Sequence, residues 1–167
     1  LAKLDFTQAE IKNSTGAILD LAAATNADLA EAASVAGGAL RAFNLNATET
    51  ERVASVLAVA TTKSGLAFSD YATILGTVGP IANKFGLQIE DTIAVIGKLR
   101  DAKFDASSAA TAFRNILLKL SDPASELSKR FGGAATSSEE LFSRLKILKD
   151  EGVDLGQVLE LTDVRAS

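Results

Sequence analysis

Apolar residues recur at intervals of three and four along nearly the whole chain, a spacing that fits helices and not strands. Ile18, Leu21 and Ala22 form one stripe, and Val53, Val56, Leu57 and Ala60 another. Strands would call for alternation with aromatic and β-branched residues, yet there is no tryptophan and a single tyrosine, Tyr71. The pattern predicts an all-α protein, a compact multi-helix bundle built from helical hairpins.

Start and stop signals cut this pattern into elements. Thr7 with Glu10 makes a capping box for an opening helix. Asn26 or Asp28 caps a helix running to Phe43 and stopped by Asn44, and Asn46 or Thr48 starts the next, which ends near Thr62 before Ser64 and Gly65. Ser69 with Asp70 caps a helix through Lys84, closed by Gly86. Within it lies Gly76-Thr77-Val78-Gly79-Pro80, where proline predicts a kink or a full break. Glu90 and Asp91 open a helix to Leu99 or Arg100, and Asp105 and Ser107 open one through Leu120 that buries Phe113, Ile116, Leu117 and Leu120. Ser121-Asp122-Pro123 reads as a helix start, with that helix ending at Phe131 before Gly132-Gly133. Ser137 with Glu140 makes a second capping box, for a helix striped by Leu141, Leu145 and Leu148 and ended by Gly152; Leu155 to Ser167 is a short helix or a frayed end.

Asp28-Leu29-Ala30 with Phe43-x-Leu45 reappears as Asp70-Tyr71-Ala72 with Phe85-x-Leu87, the same 42 positions on in both cases. Phe104-Asp105 echoes Phe68-Ser69 at 36 positions. Two origins fit: a degenerate repeat of about 40 residues, or the plain regularity of helix–loop–helix packing. The chain divides into a helical core, residues 1–131, and a C-terminal helical extension, 132–167, packed on it or frayed.

Several chemistries lack their residues. With no cysteine and no histidine, neither a disulfide, a thiolate metal site nor a Ser-His-Asp or Cys-His arrangement can form within the chain. Adjacent acids at Glu90-Asp91, Glu139-Glu140 and Asp150-Glu151 stand where helices begin or end, and at the first two sites they serve the helix dipole. Neither Gly76-x-x-Gly79 nor Gly132-Gly133 matches a phosphate-binding loop; both read as turn or kink glycines. From Lys98 to Arg130 the chain is locally basic, but acids are interspersed, and Phe104, Phe113 and Phe131 fit core positions better than a base-stacking platform. A net charge of −4 gives no strong pull on nucleic acid or anionic lipid. No apolar run is long enough to span a bilayer, and Leu1 to Lys12 does not read as a signal peptide. The absence of any methionine marks the chain as a piece of something longer. No catalytic, cofactor-binding or metal-binding residue is expected, and no enzyme activity. The alanine clusters Ala22-Ala23-Ala24, Ala32-Ala33 and Ala109-Ala110 allow close helix packing, within the chain or between subunits.

From Ile18-Leu19-Asp20-Leu21-Ala22-Ala23-Ala24-Thr25 onward the chain resembles the core of phage tail tape-measure proteins. The likeness continues through Ala42-Phe43-Asn44-Leu45 and Gly79-Pro80-Ile81-Ala82, and is strongest at Glu90-Asp91-Thr92 and Thr111-Ala112-Phe113-Arg114-Asn115-Ile116-Leu117-Leu118. It weakens between Gly132 and Gly156. The resemblance implies a virion protein of a phage or prophage, made in the host cytoplasm and housed in the tail, that helps set tail length and leaves the tube ahead of the DNA. Its implied partners are other copies of itself, the tail tube and assembly chaperones, with no specific nucleic acid and membrane contact only during ejection. It transfers no catalytic residue; Arg114-Asn115 is open to a functional or a helix-bonding role. Fully helical, the chain would reach about 250 Å at 1.5 Å per residue, and folded compactly about 40 Å, so a ruler's length has to come mostly from elsewhere. The competing readings are a helical scaffold for protein–protein interaction unrelated to phage, a lysozyme-like glycosidase with two carboxylates across a cleft, and a membrane-active segment.

Overall fold

The computed structural model describes residues 8–101 and 104–150. They form eight α-helices: α1 (Gln8–Thr25), α2 (Leu29–Ala42), α3 (Thr50–Ser64), α4 (Asp70–Lys84), α5 (Ile89–Asp101), α6 (Ala106–Ser121), α7 (Glu126–Arg130) and α8 (Ser138–Asp150). No strand occurs among the described residues. Thr7 of the Thr7–Glu10 box, Gly152 and the 155–167 tail lie outside them.

Short polar side chains start the helices because they satisfy amide groups that have no partner in the first turn. Asp28 accepts from Glu31 N at 2.8 Å to cap α2, and Asp105 accepts from Ser108 N at 2.9 Å to cap α6. At α4 the acid acts differently: Ser69 makes no side-chain cap, and Asp70 Oδ2 instead accepts from Ala67 N at 3.1 Å. A 3₁₀ turn, Ala47–Glu49, leads into α3. The predicted second capping box is half formed. Ser137 Oγ accepts from Glu140 N at 3.2 Å, while Glu140 reaches back to Thr136 N at 2.9 Å.

Four helix ends share one device. Asn26, Asn44, Gly86 and Gly132 take left-handed φ values of 53°, 52°, 73° and 81°. The following amide then returns to the carbonyl five residues back: Ala27 to Ala22, Leu45 to Leu40, Leu87 to Ala82 and Gly133 to Ser128, at 2.8–3.1 Å. This is the Schellman closure, which asparagine and glycine tolerate best.

Two sequence expectations need correction. Pro80 does not break its helix: α4 runs without interruption from Asp70 to Lys84. Gly79 has no Cβ to clash with the proline ring, and Gly76, whose carbonyl loses its partner, faces solvent with Pro80. Gly76 and Gly79 are therefore helix-interior residues and not turn residues. Ser121-Asp122-Pro123 starts no helix either; Asp122 holds a turn through Ala124 N at 2.9 Å, and α7 begins three residues later with Ser125 Oγ capping Ser128 N at 3.0 Å.

The first six helices stack in two rows, α1–α3–α5 and α2–α4–α6, with each helix packed against the next but one. Arg52 meets Glu90 and Ser64 approaches Gly97, so α3 and α5 run in the same direction, and Ser14 meets Thr50 between α1 and α3. Consecutive helices α1–α2, α2–α3 and α5–α6 also pack, completing helical hairpins. Between the rows lies one apolar core, whose largest fully buried side chains include Tyr71, Phe113, Leu57, Ile74 and Ile96. Burial of each such side chain contributes about 1.5–3 kcal/mol. The expected buried face of α6 (Phe113, Ile116, Leu117 and Leu120) is fully buried, and Ala135 and Leu141 join the same core. Burial raises the Tyr71 phenol above its usual value, and its hydroxyl is met by Ser64 Oγ at 2.9 Å.

Candidate functional site

One acid of each of the first two adjacent pairs, Glu90 and Glu140, is engaged in structural work. Glu90 is held by Arg52, which donates from Nε to Oε1 at 2.7 Å and from a terminal nitrogen to Oε2 at 3.0 Å. The same guanidinium reaches Glu49 at 2.7 Å and Gln88 at 3.1 Å. It keeps the Glu90 carboxyl below its usual value, and the two glutamates raise the arginine still further above its own. Glu140 forms a close ion pair with Arg144, a side chain buried against the Phe131 ring at 5.4 Å and donating to Gly133 O at 2.5 Å. Hydrogen bonds from Thr136 and this arginine lower the Glu140 carboxyl. Asp105 and Glu126 are lowered as well, by Ser108 and by Lys129. A glycosidase acid requires a shift in the opposite direction, upward in an apolar setting. No group of histidine, cysteine or acidic side chains among the described residues could hold a metal ion.

The other sequence candidates separate. Arg114 and Asn115 are half-buried on α6 and bond to no other helix among the described residues. Along the basic stretch, Lys98 pairs with Asp101 at 3.6 Å and Lys129 with Glu126 at 2.7 Å, while Phe113 is buried and Phe104 and Phe131 pack on the core. The basic stretch is thus a charge-mixed surface over core aromatics. Lys103 and Glu151 lie outside the described residues. Of the alanine clusters, Ala32, Ala109 and Ala110 are buried inside the chain, whereas Ala23 and Ala24 are exposed. No described helix is long and apolar enough to cross a membrane.

What remains open is a surface. On the outside of the α1–α3–α5 row, a groove of about 510 Å³ runs between α3 and α5. Val56 and Val59 line it from α3, and Ile93, Ala94 and Gly97 from α5, with Val59 53% exposed. Because the two helices run the same way, Glu90 stands at one end, and Lys63 with the Lys98–Asp101 pair at the other. A smaller groove between α1 and α3, lined by Ala17, Ala24, Ala58 and Glu51, adjoins it across Ser55. Sequence reading missed both grooves, since they exist only once the rows are stacked; an apolar Val59 standing off the inward-facing stripe of α3 is a local sign. Such a face suits contact with another protein better than it suits a reaction.

The chain is 35% identical over 129 residues to the tape measure protein of Pneumococcus phage Dp-1, covering 77% of this chain and 11% of that relative. It is 31% identical over 113 residues to the probable tape measure protein of Escherichia phage P2, covering 68% of this chain and 14% of that relative. No solved structure matches it. The family model described as phage-related minor tail protein matches residues 1–163, and the chain belongs to that family.

Proposed function

We propose that this chain is a structural segment of a bacteriophage or prophage tail tape-measure protein, acting in tail assembly and length determination and passing through the tube at infection. The observation that carries the reading is its likeness, over most of its length, to two phage proteins named as tape measures. Their much greater length matters, since the matched stretches span only 11% and 14% of them. A module that folds into two short rows of helices supplies little of a ruler's reach, which fits an assembly or docking role for residues 1–131, with 132–167 as an extension. The partners this implies are other copies of the chain, tail-tube subunits and assembly chaperones, within a virion tail made in the host cytoplasm. Membrane contact belongs to ejection alone. Family membership leaves no specific observation in favour of a scaffold unrelated to phage.

The test is an in-frame deletion of this segment from the phage gene, with tails counted and measured by electron microscopy. An assembly module predicts a sharp fall in the number of finished tails. Full numbers of tails shortened by about 250 Å, the helical length of the segment, would make it part of the ruler alone. Normal tails of unchanged length would overturn both roles.

A further inference from the structure

We propose that α8 is a releasable strap: it swings off the bundle as a unit, about a hinge at the Ala135–Thr136 junction, while α1–α7 stay folded. Opening bares Leu141, Phe142 and Leu145 together with the part of the core that they close.

The hinge follows from where the chain is tied down. Up to Ala135 the segment after α7 is anchored. Gly133 N donates to Ser128 O and Ser128 Oγ to Gly133 O, both at 3.0 Å, and Ala135 N donates to Leu120 O, near the end of α6, at 2.7 Å. Beyond that point the bonds turn inward. Glu140 accepts from Thr136 N at 2.9 Å, its own amide donates to Ser137 Oγ at 3.2 Å, and its carboxylate pairs with Arg144 one turn on. The cap and the ion pair therefore travel with the helix, and opening breaks neither. Among the described residues, the polar tie from α8 back to the anchored part is Arg144, which donates to Gly133 O and lies over the Phe131 ring at 5.4 Å.

The apolar hold is thin as well. α5 and α8 are both 13 residues long. α5 buries Ile89, Thr92, Ile93, Ile96 and Leu99. Of the described side chains of α8, Leu141 and Arg144 are buried, Phe142 and Leu145 are partly so, and Ile147 is 41% exposed. An element that buries little opens at a free energy below that of global unfolding. A helix that carries its own N-cap and a one-turn ion pair also loses less of its local support when it leaves the bundle. Leu141, Phe142 and Leu145 share one side of α8, so they leave the core together, as one cooperative step.

Amide hydrogen exchange of the 167-residue chain at pH 7, read peptide by peptide, tests the strap. Amides of α8 should exchange at least about tenfold faster than those of α3–α6, yet at least about tenfold slower than an unstructured peptide of the same sequence. Leu141→Ala and Arg144→Ala should each speed α8 by at least about another tenfold and leave α3–α6 unchanged. Neither change strands a buried polar group, since Gly133 O keeps Ser128 Oγ and Glu140 keeps Thr136 N. Exchange of α8 at the rate of α3–α6 would overturn the proposal, because the helix then opens only with the whole fold. Absence of protection in α8 would overturn it too, since no docked strap would exist, and so would a variant that speeds α3–α6 as much as α8.

Discussion

Arg52 and Glu90, 38 residues apart in sequence, join the starts of α3 and α5 through two hydrogen bonds of 2.7 and 3.0 Å. A forked guanidinium on a carboxylate is the strongest common ion-pair geometry, and here it fixes the relative height of two parallel helices. Both side chains are more than a third exposed, so water screens much of the attraction. The Arg52→Ala/Glu90→Ala double-mutant cycle should therefore give a coupling of only about 1 kcal/mol at pH 7. The pH dependence follows from the direction of the Glu90 shift. Its carboxyl is lowered in the folded chain, so the stabilisation is complete above the usual glutamate value of 4.5 and is lost as pH falls through the lower folded value. Urea unfolding at pH 7 and pH 3 would show the coupling at the first and not at the second. Equal coupling at both would mean that the carboxylate charge has no part in it.

Two glycines of α4, three residues apart, should respond in opposite ways to alanine. An added Cβ at Gly79 would stand 2.7 Å from Ala42 Cβ and 3.3 Å from Phe43 Cε2, and a Cβ on a short alanine cannot swing aside. Gly79→Ala should destabilise the fold by about 1–3 kcal/mol as α2 and α4 are forced apart. Gly76 has nothing within 4 Å of its added Cβ and no left-handed φ. Gly76→Ala should therefore stabilise by about 0.5–1 kcal/mol through helix propensity and a less free unfolded chain. Thermal melts of the two variants beside the wild type decide the matter; a Gly79→Ala variant as stable as Gly76→Ala would show that α2 and α4 do not approach as closely as described.

These contrasts mark what the sequence could reveal. Caps at Asp28 and Asp105 and left-handed stops at Asn44 and Gly86 were legible, because each depends on residues within one turn of helix. The order of motifs from Ile18 to Leu118 likewise carried the family resemblance. Pro80 misled because the break rule assumes a Cβ before the proline and a buried carbonyl behind it, and this chain has Gly79 and an exposed Gly76 there. Glu90 was legible as a first-turn acid but not as the partner of Arg52, since that pairing requires α5 to lie beside α3. The groove between them depends on the same long-range fact.

Ser14 and Thr50 provide the last prediction, because their hydrogen bond has a direction. Both side chains are buried, with their hydroxyl oxygens 3.0 Å apart between α1 and α3. The Thr50 proton is committed to Ala47 O at 2.6 Å, which leaves Ser14 to donate and Thr50 to accept. Ser14→Ala thus removes one donor and leaves Thr50 bonded to its own turn, at a cost of about 1 kcal/mol. Thr50→Val keeps the shape, and Ala47 O keeps the backbone amide of residue 50, but the Ser14 hydroxyl is stranded in an apolar contact, a loss of about 2 kcal/mol. In the Thr50→Val background, Ser14→Ala should recover part of that loss, since no buried hydroxyl then lacks a partner. Unfolding free energies of the three variants test the direction: a Ser14→Ala loss equal to that of Thr50→Val, with no recovery in the double variant, would show that Ser14 finds another acceptor.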